Sequence, residues 1–304
     1  MRKTRRLKLD GVLLLDKPVG PSSSAVLQAV KRLLNAEKAG HAGTLDPLAS
    51  GLLPLLFGEA TKFAGPLLDA DKEYLATVKL GQRTETGDAE GKVLEEKPFS
   101  ADEWQVAAVL ARFVGEIEQI PPMHSALKRD GVPLYKLARK GQSVERKPRR
   151  VRIAGLELAG LRGMLMEIRV RCSKGTYVRT LAEDLAVALG SVGHLSALRR
   201  TASGGFRVEA GITLEALGRM SLDERRRRLV PLEGLLGGLP RAELDGPAET
   251  RFRNGQALPY EGEEGLCGVY GRHGVVGLGR AAAGRLLPVR LTTMQGAEKH
   301  QKTL

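Results

Sequence analysis

Met164-Leu165-Met166-Glu167-Ile168-Arg169-Val170-Arg171-Cys172 places Met164, Met166, Ile168, Val170 and Cys172 on one side and Glu167, Arg169 and Arg171 on the other. Alternation with period two predicts a β-strand with one buried face. Ser173-Lys174-Gly175 turns the chain, and Leu181, Leu185 and Leu189 then form a helical stripe closed by Gly190. Tyr74 to Leu80 repeats the strand pattern, with Tyr74, Ala76, Val78 and Leu80 on one face. Between these strands, Ser100 and Glu103 predict a capping box for a helix carrying Trp104, Ala108, Ala111 and Val114, stopped by Gly115. Nearer the start, Gly11 to Leu15 is a short apolar strand. Ser22 to Ser24 cap a helix with Ala25, Val26, Ala29, Val30, Leu33 and Leu34 at helical spacing. Leu52 to Phe57 reads as a buried strand and Glu59 to Leu68 as a short helix. The intervals between strands are irregular and no Gly-x-Gly-x-x-Gly turn follows any of them. The fold class is therefore α+β, a mixed, largely antiparallel sheet flanked by helices, and not a dinucleotide-binding fold.

The chain has 304 residues, and single hydrophobic cores stop growing at roughly 250–300 residues. One large domain plus a small one is expected. Gly234, Gly237, Gly238 and Pro240 mark a break, after which the sequence is glycine-rich with short strands at Leu266 to Tyr270 and Val275 to Leu278. The expected division is 1–237, a small β-rich domain over 238–292, and a polar, disordered tail over 293–304. A formal net charge of +13 points to a polyanionic partner. No apolar run approaches the ~18 residues of a membrane span, and Val12 to Leu15 is too short for a signal-peptide core, so a soluble cytoplasmic protein is expected. Cys172 and Cys267 form no Cys-x-x-Cys pair and read as buried thiols.

Gly40 to Gly51, GHAGTLDPLASG, combines a histidine, three glycines and one aspartate held ahead of a proline. Pro47 biases Asp46 toward extended backbone, and the glycines allow a bend close to a ligand. Two readings stand at this point, a carboxylate presented for chemistry and an ordinary Asp-Pro turn. Charge is concentrated elsewhere. From His124 to Arg152 there are ten lysines and arginines against Asp130 and Glu145, a net of +8. Pro121-Pro122 opens this insertion, Asp130-Gly131 turns it, and Leu134, Tyr135, Leu137 and Ala138 form a short helix with basic flanks. It reads as a solvated loop or as an arm closing on a phosphate backbone, with Lys128, Arg129, Tyr135, Lys136, Arg139, Lys140, Arg146, Lys147, Arg149 and Arg150 as contacts.

Several motifs follow one another in a set order: Val12-Leu-Leu-Leu-Asp-Lys-Pro18, GHAGTLDPLASG, Gly58-Glu-Ala-Thr-Lys62, Asp71-Lys-Glu-Tyr74, Pro121-Pro122 with Ser125-Ala126 and Lys128, Lys174-Gly-Thr-Tyr-Val-Arg179, and Leu198-Arg-Arg200. From about Gly11 to Phe206 the chain resembles the TruB family of tRNA pseudouridine synthases. Phe252-Arg-Asn-Gly255 resembles the start of that family's small PUA-type RNA-binding domain. His124 stands where the family usually has tyrosine, and Glu85 where it usually has aspartate.

The resemblance implies isomerisation of uridine-55 in the tRNA T-loop to pseudouridine. The N1–C1′ bond breaks, uracil turns, and a C5–C1′ bond forms, with no cofactor and no metal. Asp46 matches the catalytic aspartate, a carboxylate for attack on the ribose or on the base, or for stabilising charge on the sugar, and Arg179 its guanidinium partner. The target base must first be extruded from its stack. By resemblance, His41 enters the vacated space, Tyr74 packs on the flipped uracil and takes part in proton transfer, and Leu198 lines the pocket. Tyr177, Lys62 and Lys17 are expected as supporting substrate-binding residues. The implied protein is a monomer acting on tRNA with no membrane and no required protein partner. Two other classes are weighed, a catalytic subunit of a guide-RNA complex and an RNA-binding chaperone without chemistry.

Overall fold

The computed structural model describes residues 5–125, 127–129, 131–138, 140–142 and 144–293. Arg139 and the expected tail beyond Thr293 lie outside the described residues, and only the backbone of Lys128 and Tyr135 is described.

The first strand, β1 (Gly11–Lys17), leads into helix α1 (Ser23–Leu33), whose N-cap Ser22 accepts the amide of Ala25. The short strand β2 (Ala39–His41), the loop carrying Asp46 and the strand β3 (Ala49–Phe57) follow. After two short helical turns comes β4 (Lys72–Leu80). The described residues form a ten-stranded sheet whose main path runs Ile212–Thr213, β1, β3, Gly193–Ser203, β4, Leu165–Cys172, Arg149–Arg162 and Gly115–Gln119. The strand β2 pairs with β3, and Phe206–Arg207 pairs with Gly193–Ser203. Within this sheet, among the described residues, only two pairings are parallel, β1 with Ile212–Thr213 and β3 with Gly193–Ser203. The expected mixed, largely antiparallel α+β architecture is what the chain adopts.

Alternation decides which face is covered. In Leu165–Cys172, Met166, Ile168, Val170 and Cys172 are buried while the residues between them are exposed. They join Ala76, Val78 and Leu80 of β4 and Leu181 and Leu185 of the helix Val178–Ala188 in one core. The apolar run of β3 is buried on both faces, against α1 on one side and against Phe63 and Leu67 on the other. Each such leucine contributes about 1.5–3 kcal/mol on burial. Met164 departs from the expectation, because it belongs to the turn before the strand and is exposed.

The helix Glu103–Ala111 differs in cap and in face. Its N-cap is Asp102, in a reciprocal box with Gln105, and not Ser100. Val106 and Leu110 reach the core, whereas Trp104 is 79% exposed. Both stripes have helical spacing, and the aliphatic pair is the one that meets the sheet. In α1, likewise, Leu27 is buried and Ala25 is exposed.

A second sheet of five strands runs Arg241–Glu243, Gly265–Gly271, Gly274–Ala282, Arg285–Leu291 and Leu258–Pro259. Its Leu278 enters the same cluster as Val12, Leu52, Leu56 and Phe63 of the first sheet. Cys172 and Cys267 are buried free thiols. Among the described residues no helix is long and apolar enough to cross a membrane.

Candidate active site

The loop before β3 is pinned on both sides of Asp46. Ser23 Oγ donates to the carbonyl of Leu45 and accepts its amide, both at 2.8 Å. On the other side, Gly20 donates its amide to the carbonyl of Pro47 at 2.8 Å. One anchor is the first residue of α1 and the other lies in the β1–α1 connection. The Asp46 side chain, 46% exposed, is the open member of the group, and its Oδ2 lies 3.0 Å from Arg179 Nη2.

Arg179 follows the N-cap Tyr177 in the helix Val178–Ala188 and is itself buried. Gln119 fixes that helix start, with its Oε1 accepting the Tyr177 amide at 3.0 Å and its Nε2 donating to the Tyr177 carbonyl at 3.3 Å. The guanidinium is held by several segments at once. Nη1 donates to Thr86 O at 3.2 Å and pairs with Asp88 Oδ2 at 3.3 Å, while Nη2 donates to the carbonyl of His124 at 2.7 Å. Asp88 is buried and further fixed by Thr86 Oγ1 and the amide of Glu90. A planar donor fork with both terminal nitrogens held in this way presents a set direction to Asp46.

Arg200 lies fully buried opposite Tyr74 across the antiparallel pair of Gly193–Ser203 with β4. Arg199, the next residue along, points away and forms a two-pronged pair with Asp16 at 3.0 and 2.8 Å. Tyr74 is partly buried, and burial pushes its phenol up from the ordinary tyrosine range against the opposing charge of Arg200. His41 is held below the ordinary histidine range, first by burial and then by Arg200. Its Nδ1 is buried without a hydrogen-bond partner among the described residues. Leu198 pairs in register with Ala49 on one side and Ala76 on the other, which seats it between the Asp46 loop and β4.

Lys17 is fully buried, with Nζ donating to Ala49 O at 2.7 Å and Pro18 O at 2.9 Å. Burial lowers its ammonium pKa, and nearby Asp46 and Glu90 oppose that shift. It braces the start of β3 beneath Asp46. Burial raises the phenol of Tyr177. Lys62 is not brought into this group. Its Nζ binds Glu59 at 2.8 Å, Thr293 Oγ1 at 2.8 Å and the Leu291 carbonyl at 3.5 Å, joining the turn after β3 to the last strand of the second sheet.

In the insertion, Lys128–Arg129 and Val132–Pro133 form a small hairpin followed by the helix Leu134–Ala138. Arg129, Lys136, Lys140, Lys147, Arg149 and Arg150 are exposed, whereas Arg146 turns inward to donate to the Pro121 carbonyl at 3.1 Å. A groove of about 390 Å³ runs here, lined by residues that include Arg129, Arg146, Lys147 and Arg149. Because His124 supplies a carbonyl to Arg179, the base of this basic segment abuts the Asp46 group.

Asp88, Gln119 and Arg200 carry no role in the sequence, and Ser23 only that of a helix cap. Asp88 sits in Thr84-Glu-Thr-Gly-Asp-Ala-Glu-Gly91, where two glycines around an acidic turn were the only signal. Gln119, in an edge strand, has no local signal at all. Among the described residues no cluster of metal-ligating side chains occurs.

A carboxylate on a glycine-bent loop, backed by a buried arginine from the first turn of a helix packed on a mixed sheet, accompanies the pseudouridine synthase fold. Residues 31–178 match the profile of the TruB family pseudouridylate synthase N-terminal domain, and residues 179–237 that of the tRNA pseudouridylate synthase B C-terminal domain. The chain belongs to the TruB family of pseudouridylate synthases, which are isomerases. It is 55% identical over 295 residues to a Burkholderia mallei (strain NCTC 10247) protein named tRNA pseudouridine synthase B, covering 94% of this chain and 98% of that one. A protein of the same name from Ralstonia pickettii (strain 12J) is 56% identical over 264 residues, covering 86% of this chain and 83% of the other. Among solved structures, a chain of a Cbf5-Nop10-Gar1 complex aligns with a TM-score of 0.72 at 29% identity, over 94% of this chain and 84% of that one. A chain of an H/ACA RNP bound to a substrate RNA containing 2'-deoxyuridine aligns with a TM-score of 0.69 at 28% identity, over 94% and 85% respectively.

Proposed function

We propose that this protein converts uridine-55 of the tRNA T-loop to pseudouridine, in the cytoplasm and as a stand-alone enzyme. The observation that carries the reading is the Asp46–Arg179 pair, a half-exposed carboxylate 3.0 Å from a buried guanidinium whose two terminal nitrogens are both held. Such a pair keeps a carboxylate oriented where a base and ribose can reach it. In the proposed reaction Asp46 engages the flipped nucleoside at its glycosidic centre, the N1–C1′ bond breaks, and uracil turns so that C5 bonds to C1′. Arg179 holds the carboxylate and balances its charge. Tyr74 packs on the uracil and handles a proton, and Leu198 closes the apolar side of the pocket. His41, neutral because of its burial, fills the space left by the extruded base. Tyr177 and Lys17 support the pocket from below. The exposed basic residues of the 121–152 segment grip phosphates beside the site, which is what an enzyme without a guide RNA needs.

The likeness to Cbf5 complexes favours a second reading, a subunit that acts only with a guide RNA and partner proteins. Incubating the purified protein alone with unmodified tRNA transcript and mapping pseudouridine separates the two. Modification at uridine-55 without additions supports the first reading, whereas modification only with guide RNA and partners supports the second. Tight binding with no modification under either condition leaves an RNA-binding chaperone.

A further inference from the structure

Arg200 heads the fully buried side chains by volume among the described residues, at 1% exposure. Its Nε donates to Leu52 O at 2.7 Å and its Nη2 to Gly43 O at 3.1 Å. Both acceptors are neutral carbonyls, and among the described residues the guanidinium forms no ion pair. A buried cation without a counter-ion carries a desolvation cost that two neutral acceptors offset only in part. Packing alone therefore does not account for an arginine here.

The register locates the use of the charge. Arg200 and Tyr74 are direct partners across the antiparallel pair, and Leu198 and Ala76 are the next partners on the same face. Opposite side chains in such pairs stand about 4.5–5.5 Å apart at Cβ. The groups facing the Tyr74 hydroxyl come from three further elements. Arg200 lies on Gly193–Ser203, Cys172 on Leu165–Cys172, and Asp46 on the loop before β3. The Cys172 thiol is pushed up to about 11 by burial and is neutral at physiological pH. Asp46 disfavours a second negative charge. On the same strand as Tyr74, Lys72 spends its ammonium on the carbonyls of Leu67, Leu68 and Ala70. Arg200 is thus the cation available to an anionic Tyr74.

We infer that Arg200 is a positioning residue for Tyr74, its guanidinium stabilising the phenolate that accepts the C5 proton during isomerisation. The inference rests on the assignment of Tyr74 to proton transfer made above. Once C5 is bonded to C1′, the C5–H bond breaks, its electron pair restores the ring double bond, and the proton passes to Tyr74 Oη. N1, freed from C1′, takes a proton from solvent, so no oxidant or reductant enters. Burial raises the Tyr74 phenol and the charge of Arg200 works against that rise, as the role requires.

The test is the single-turnover rate against pH, with enzyme in excess over tRNA, for the wild type, Arg200→Gln, Arg200→Lys and Tyr74→Phe. The wild-type rate should rise with pH along a limb that Tyr74→Phe abolishes. Arg200→Gln should move the limb upward by about one pH unit, a loss of about tenfold at neutral pH, while tRNA affinity changes less than about threefold. Arg200→Lys should restore most of the rate. A further arm guards against a variant that misfolds: fluorotyrosine placed at position 74 of Arg200→Lys lowers the phenol pKa and should recover the rate that variant still lacks. A limb removed by Tyr74→Phe but unmoved by Arg200→Gln, or no recovery with fluorotyrosine, overturns the role of Arg200 and leaves Tyr74 in place. A limb that persists in Tyr74→Phe removes the proton-transfer role of Tyr74 itself.

Discussion

A Cβ on Gly51 would lie 2.3 Å from the carbonyl oxygen of Arg200. The missing side chain at 51 is what lets β3 and Gly193–Ser203 run side by side at the register that pairs Gly51 with Arg200. Gly51 also has a φ of +98°, which other residues rarely adopt. Gly51→Ala should therefore destabilise the protein by about 2–4 kcal/mol, read from urea unfolding. An unchanged midpoint would mean that the two strands separate without cost.

Asp46→Asn removes the carboxylate charge at nearly constant volume. Pseudouridine formation should fall below detection while tRNA binding stays within about threefold. Turnover near the wild-type level would remove Asp46 from the chemistry.

Asp88 is buried against Arg179, so removing its charge leaves the guanidinium with one carboxylate in place of two. Asp88→Asn should cost about 3 kcal/mol of stability, as expected for breaking a buried pair, and should lower turnover at least about tenfold through a looser Arg179. Denaturation and single-turnover kinetics check the two effects separately. A variant with normal stability and rate would show that a neutral acceptor serves equally well.

His41 has a lowered pKa in the folded chain, chiefly through burial. Between that value and the unfolded value of about 6.5, the unfolded chain binds more protons, so this stability contribution is full above the window and falls as the pH drops through it. His41→Asn should flatten that part of the stability profile, measured as urea midpoints from pH 7 down to pH 5. A slope identical to the wild type would place the acid sensitivity elsewhere.

Replacing Pro121 to Arg150 by a short Gly-Ser linker should weaken tRNA binding and reduce its salt slope by roughly 0.7–0.9 for each phosphate that is no longer neutralised. The His124 carbonyl on Arg179 adds a second consequence, a slower chemical step even at saturating enzyme. Unchanged affinity and slope would make the segment a solvated loop.

Where side chains alternate strictly, as in Tyr74 to Leu80 and Leu165 to Cys172, sequence alone located the strands and the buried face, Met164 at the edge excepted. The motifs carrying Asp46 and Arg179 led to two residues that the fold brings to 3.0 Å. Trp104 shows the limit of periodicity, since a helix can offer two stripes and only its neighbour selects one. Arg200 and Asp88 were illegible because their partners are remote in the chain. Arg200 meets Gly43 across 157 residues, and Asp88 meets Arg179 across 91. Lys62 carries the opposite lesson. Its motif is local, but the direction of its side chain depends on Thr293, 231 residues away.

Leu278 of the second sheet shares a core with Val12, Leu52, Leu56 and Phe63, and partly buried Leu266 and Val275 pack against the same cluster. Glu59, in the turn that leaves β3, accepts the amide of Thr293 at the far end of that sheet. The C-terminal unit is therefore not an interchangeable tail. A chain cut at Leu239 would uncover the back of β1 and β3, and a foreign RNA-binding unit joined there would need a matching oily patch before it could bring any new specificity.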